Sequence, residues 1–219
     1  MFIGHHAAGF AAKRFAPNVS LGTLFAATML LDLLWPLFLI ADVEHVRIDP
    51  GNTAFTPLDF YDYPITHSLL TVLGWSIAAA IVYRIVRKRA WGDAIVVGMG
   101  VLSHWILDFV THRPDLPLWP GGPHVGLGLW NSVPATIAVE VALFVAGLLL
   151  YLRTTRAIDR TGSLALWALV VFVGLIYVAN ITSPPPPSAR AIGYAGLAAW
   201  LFVPWGYWID RHRESALPR

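Results

Sequence analysis

Apolar residues in this chain fall into six long runs, at roughly 19–41, 67–86, 94–110, 133–152, 163–181 and 190–209, separated by polar connections. Each run is near the ~20 residues that an α-helix needs to cross the hydrocarbon core of a bilayer. The pattern predicts an all-α polytopic membrane protein with about six spanning helices. A shorter apolar piece, residues 2–12, precedes the first run and ends at Lys13 and Arg14. It is too short to span, and two placements are open: a half-inserted helix surrounded by protein, or an interfacial helix lying flat on the membrane.

The basic residues sort the connections. Lys13 and Arg14 precede the first run, Arg84, Arg87, Lys88 and Arg89 follow the second, Arg153, Arg156 and Arg160 follow the fourth, and Arg211, Arg213 and Arg219 close the chain. The alternate connections carry only Arg47, Arg113 and Arg190. By the positive-inside rule both termini are expected to be cytoplasmic. The first outer connection, 42–66, holds Asp42, Glu44, Asp49, Asp59 and Asp62 beside His45 and is expected to be exposed. The second, from Arg113 to His124, is rich in turn residues and carries Trp119, a side chain suited to the membrane interface. Both would roof the same face. The run 183–188, Ser-Pro-Pro-Pro-Pro-Ser, reads as a stiff polyproline connection.

Composition narrows the class. At 219 residues, 57% hydrophobic and 13% charged, with mean hydropathy +0.61, the chain is too apolar for an ordinary soluble domain. No cysteine is present, so any metal must be held by histidine and carboxylate. A net charge of +2 is spread over short connections, a pattern of membrane topology that gives no reason to expect nucleic acid as a partner. No basic residue precedes the apolar N-terminal piece, so a cleaved signal peptide is not expected. No repeat or linker divides the chain, and residues 1–219 are expected to form one integral membrane domain.

Candidate chemistry lies inside the apolar runs. His104, Asp108 and His112 recur every four residues in the third run and would form one polar stripe on a helix. Such groups need partners in hydrocarbon, either a hydrogen-bonded packing cluster or a divalent ion. Asp32 stands in the first run, His67 opens the second, and Glu140 lies in the fourth, where a structural and a proton-carrying role are equally open. At ~1.5 Å per residue, Asp32 lies about 20 Å and His104 about 15 Å above the inner ends of their runs, so three helices present His or Asp in the outer half of the membrane. His5 would join them only if the N-terminal piece inserts.

The segments Gly4-His5, Leu31-Asp32, Thr66-His67-Ser68, and Ser103-His104 followed by Asp108-Phe109-Val110-Thr111 and Leu118-Trp119-Pro120 resemble those of the bacterial membrane-bound metal-dependent hydrolases, a YdjM-like family thought to be distantly related to zinc phospholipase C and P1 nuclease. The resemblance covers about the first 120 residues, leaving the helices at about 133–209 as an addition to that core. The family pattern has a second acid two residues after the first, where this chain has Leu34, and a His-Arg-Gly where it has Asp62-Tyr63-Pro64. The resemblance implies a hydrolase of the bacterial inner membrane, with His5, Asp32, His67, His104 and Asp108 as ligands to a divalent metal, zinc first. It further implies a phosphoester or lipid-type substrate at the outer face. Asp62 could replace the missing histidine as an oxygen ligand, and Asp62 or His112 could carry protons; both are readings of this chain. An ion- or proton-coupled permease built on Asp32, Glu140 and the histidines, or a vestigial site, is the alternative.

Overall fold

The computed structural model describes residues 1–88 and 90–216, so Arg89 and Arg219, counted above among the basic residues, lie outside the described residues. The chain begins with α1 (Ile3–Ala12), followed by the pair α2 (Leu21–Thr28) and α3 (Leu30–Ile40). A hairpin of β1 (His45–Ile48) and β2 (Leu58–Asp62) and the single turn α4 (Pro64–His67) lead into α5 (Leu69–Arg87) and α6 (Trp91–Thr111). A two-residue hairpin, β3 (Leu116–Pro117) and β4 (His124–Val125), precedes α7 (Val133–Thr154), β5 (Thr155–Ala157) and α8 (Arg160–Thr182). The chain closes with α9 (Ala189–Gly196), a 3-10 turn (Leu197–Leu201), α10 (Phe202–Arg211) and β6 (Arg213–Ser215), which pairs antiparallel with β5.

The helices start where short polar side chains can satisfy their free N–H groups. Ser20, Ser68, Ser132 and Ser188 accept from Thr23, Thr71, Ala135 and Ala191 at the starts of α2, α5, α7 and α9, and Asp159 accepts from Gly162 at the start of α8. Among the described residues four helices, α5 to α8, are long and apolar enough to cross a membrane, five spans if α2 and α3 count as one bent by 56°. The expected first run is therefore broken at Met29, whose backbone leaves the helix at φ −107°, ψ 6°. The expected sixth run is also not one α-helix, because the path tightens to 3-10 geometry between α9 and α10. Its backbone stays right-handed helical at Gly196, Leu197, Leu201 and Phe202.

Two cores meet along α2. One packs Leu24, Ala27, Leu31, Val72, Val97, Val101 and Trp105 between α2, α3, α5 and α6. The other gathers Phe10, Phe25, Tyr151, Leu166, Leu169 and Ile209 from α1, α2, α7, α8 and α10.

Of the two placements open for the N-terminal piece, the structure shows the buried one. At ten residues α1 is about 15 Å long, half a bilayer core. It packs chiefly on α7 and also on α2 and α6. The approach to α7 is close because Gly147 has no side chain; a Cβ there would lie 2.4 Å from the carbonyl oxygen of Ala7. Both ends are held by acids. Glu140 Oε2 of α7 accepts the backbone N–H groups of Phe2, Ile3 and Gly4 at 3.0, 2.9 and 3.3 Å. At the other end Asp210 accepts from Lys13 Nζ and the N–H of Leu21, both at 2.6 Å, and from the Tyr151 hydroxyl at 3.1 Å. A helix start buried in apolar surroundings leaves N–H donors that water cannot reach, and Glu140 supplies the missing acceptor.

The two connections expected to share one face interlock. Asp59 accepts from Arg47 of its own hairpin at 2.5 Å and from Arg113 of the other connection. The expectation of a wholly exposed acidic loop is corrected here: Glu44 and Asp59 are 1% and 4% exposed, since each is surrounded by donors.

Candidate metal centre

Four elements carry His5, Asp32, His67, His104 and Asp108 to one place. His5 is on α1, Asp32 in the first turn of α3, His67 on α4, and His104 and Asp108 sit one turn apart on α6. His5 Nε2 lies 3.1 Å from Asp108 Oδ1, and His104 Nε2 lies 3.1 Å from Asp108 Oδ2. His67 Nε2 stands 3.7 Å from Asp32 Oδ1 and 3.8 Å from Asp108 Oδ2, and His104 Nε2 is 3.6 Å from Asp32 Oδ1. Two ligands ~2.1 Å from one ion and separated by the tetrahedral angle stand about 3.4 Å apart, which is the scale of these separations. Among the described residues two triads satisfy the spacing, His5–His104–Asp108 and Asp32–His67–His104. They share His104, so they are not independent: one imidazole nitrogen serves one ion.

The imidazoles turn their Nε2 atoms toward the carboxylates. His104 Nδ1 is 2.8 Å from the carbonyl oxygen of Thr28, which can only accept, so Nδ1 carries the proton and the neutral ring leaves Nε2 bare. That carbonyl sits at the break between α2 and α3, where the irregular backbone brings it toward α6. The rings of His5 and His104 stack at 3.6 Å and 4°, and both Nε2 atoms face the Asp108 carboxylate. Both are buried and make no hydrogen bond, although each has an Asp108 oxygen at 3.1 Å. The α-amino group of Met1 also contacts Asp108 Oδ1. Bare nitrogens and carboxylate oxygens at this range repel unless a proton or a cation lies among them, and the donor set suits a divalent ion of the zinc type.

Residues beyond the ligating groups orient them. His67 Nδ1 is 2.7 Å from Thr66 Oγ1, and that hydroxyl donates to Glu44 Oε2 at 2.6 Å. Tyr63 lies ring to ring with His67 at 5.0 Å. Glu44, Thr28 and Tyr63 had no assigned role from sequence, because a carbonyl at a helix break and an acid in a loop leave no mark in spacing.

The two expected proton carriers fare differently. The four-residue stripe ends at Asp108, because α6 stops at Thr111 and the extended backbone of His112 (ψ 146°) carries that ring out of the helix. The stop precedes Arg113-Pro114, where proline disfavours helical geometry in the residue before it. His112 is buried against Trp130, with centroids 4.2 Å apart, and its Nδ1 pairs with Asp115 Oδ1 at 2.8 Å. Burial pushes its pKa down, with Asp115 partly offsetting that. Tyr63 lies between it and the cluster, with its hydroxyl 3.3 Å from His112 Nδ1 and its ring centroid 5.0 Å from that of His67. Asp62 instead pairs with His45 Nδ1 at 2.7 Å across the β1–β2 hairpin, and none of its contacts among the described residues is with the five clustered side chains. Glu140 likewise serves α1 and not the cluster directly.

No curated protein and no solved structure matches this chain. A family model does, over residues 2–185, a span that includes all five clustered residues and also Glu140. The chain belongs to the YdjM inner membrane protein family.

Proposed function

We propose that this multi-pass inner membrane protein is a metal-dependent hydrolase acting on a phosphoester or lipid-type substrate at the outer membrane face. The observation that carries the reading is the convergence of three imidazoles and two carboxylates from four elements, with the buried Nε2 atoms of His5 and His104 unbonded. His5, Asp32, His67, His104 and Asp108 would hold the ion. When bound, it would supply hydroxide at neutral pH and offset charge on phosphoryl oxygens. The chain's own part is to orient the ligands and keep bulk water away: side-chain exposures are 1% for His5, 5% for His67, 0% for His104 and 2% for Asp108. Asp32, at 33%, is the open side of the cluster, where substrate would approach. His112, separated from His67 by the ring of Tyr63, lies nearer the cluster than Asp62, which is engaged by His45 across the hairpin. The permease alternative needs Glu140 as a proton group, and its engagement with three backbone N–H groups weighs against that use.

Protein purified in detergent without chelator is expected to carry stoichiometric divalent metal and to regain it from zinc or manganese after stripping. Elemental analysis reads this directly. Protein that stays metal-free after supplementation would sink the hydrolase reading.

The same reading places the β1–β2 hairpin outside the cytoplasm and the α5–α6 connection inside, following the basic residues Arg84, Arg87 and Lys88. A tag inserted at Asn52 should be labelled by an impermeant reagent in intact cells, and one at Lys88 only after lysis. The opposite pattern would reverse the orientation.

A further inference from the structure

Glu44 lies in the short stretch between α3 and β1, and its carboxylate is spent entirely inside the protein. Oε1 accepts the N–H groups of Ile65 and Thr66 at 2.7 and 2.8 Å, and Oε2 accepts the Thr66 hydroxyl at 2.6 Å. A threonine hydroxyl has one proton to give. Because Thr66 gives it to Glu44, the 2.7 Å contact between Thr66 Oγ1 and His67 Nδ1 has to be an N–H donated by the histidine. The proton of neutral His67 is then on Nδ1, and Nε2 faces Asp32 and Asp108 as a bare lone pair. The other imidazoles lack such a relay: His104 Nδ1 has a neutral carbonyl as its partner, and His5 Nδ1 has none.

We propose that Glu44 is a positioning residue for the metal centre, acting through the Thr66 hydroxyl to hold His67 in its metal-ligating tautomer and to raise the basicity of Nε2. The proposal rests on the metal reading above. Hydrogen-bonded partners behind a ligating histidine fix its tautomer and orientation and strengthen it as a ligand, and losing one typically costs about 10–100-fold in metal affinity.

Three variants separate this role from support of the backbone. Thr66→Val keeps both backbone hydrogen bonds to Glu44 Oε1 and removes only the relay, whereas Thr66→Ser keeps the hydroxyl. Glu44→Gln is nearly isosteric and reverses the relay. Its carbonyl must stay where the Ile65 and Thr66 N–H groups need an acceptor, so the amide NH2 takes the place of Oε2 and donates to Thr66. Thr66 must then donate to His67 Nδ1, which moves the ring proton to Nε2 and blocks ligation.

The measurement is zinc affinity of the full-length, detergent-purified chain by competition with a chromophoric chelator. Wild type and Thr66→Ser are expected to agree within about twofold, Thr66→Val to bind about tenfold or more weakly, and Glu44→Gln to be at least as impaired as Thr66→Val. If wild type binds zinc and either Thr66→Val or Glu44→Gln binds it equally well, the relay is wrong and the metal centre stands. If Thr66→Ser is as weak as Thr66→Val, the threonine acts through its methyl group and the relay is again overturned. A wild type that binds no zinc removes the metal reading and the relay together.

Discussion

His104→Ala is expected to abolish stoichiometric metal binding while leaving the helical bundle folded. His104 belongs to both ligand triads, so its loss leaves neither complete. Protein-held zinc ordinarily has at least three closely spaced protein ligands, and the ring that joins the two triads is the one removed. The fold should survive because α2 and α6 also meet through Leu24, Ala27, Val97 and Val101 in one core. Gly100 also lets the helices close up, with Ala27 and Thr28 immediately opposite it. Leu107→Ala, on the same helix but outside the polar face, is the control and should keep its metal. Elemental analysis and thermal unfolding of both proteins decide the outcome. Stoichiometric metal on His104→Ala would remove His104 from the ligand set.

A second large effect is expected from Glu140→Ala, far from the clustered side chains in sequence. The substitution strands the N–H groups of Phe2, Ile3 and Gly4, which Glu140 Oε2 now accepts. Each buried donor left without a partner costs ~1–3 kcal/mol, and water is not at hand to replace the acceptor. The start of α1 should therefore loosen, and His5 with it, because His5 directly follows the three capped residues. The melting temperature in detergent should fall, and zinc affinity should fall with it. Glu140→Gln should lie between wild type and alanine, since an amide oxygen still accepts N–H groups but carries no charge to attract the helix N-terminus. Unchanged melting and unchanged zinc affinity in Glu140→Ala would show that α1 holds its place without a cap.

Much of this architecture was legible along the chain, because the terms that set it are local. Transfer of a helix into hydrocarbon depends on the residues of that helix, so the long apolar runs at α5 to α8 declared themselves. Four-residue spacing puts two side chains on one helix face whatever surrounds them, and it brought His104 and Asp108 together as expected. A polar group in an apolar run needs a partner, and that alone singled out Asp32 and Glu140.

Which partner each group found was decided by the tertiary structure. Glu140 meets Phe2 across 138 positions, and His104 meets the Thr28 carbonyl across 76. No periodicity within one segment encodes such a pairing. The insertion of α1 depends on an acceptor from α7 and a glycine opposite Ala7, neither of which is part of α1. His112 shared the spacing of the stripe yet left it, since a following Arg-Pro step and a waiting Asp115 outweighed helical continuation. Asp62 was drawn to His45 by the register of a hairpin, and Glu44, one acid among five in a loop, became the buried acceptor behind Thr66 and His67. Local sequence determined which apolar segment carries each polar group. Long-range packing determined their partners, because in a water-poor interior each donor must take the acceptor that the folded chain brings within about 3 Å.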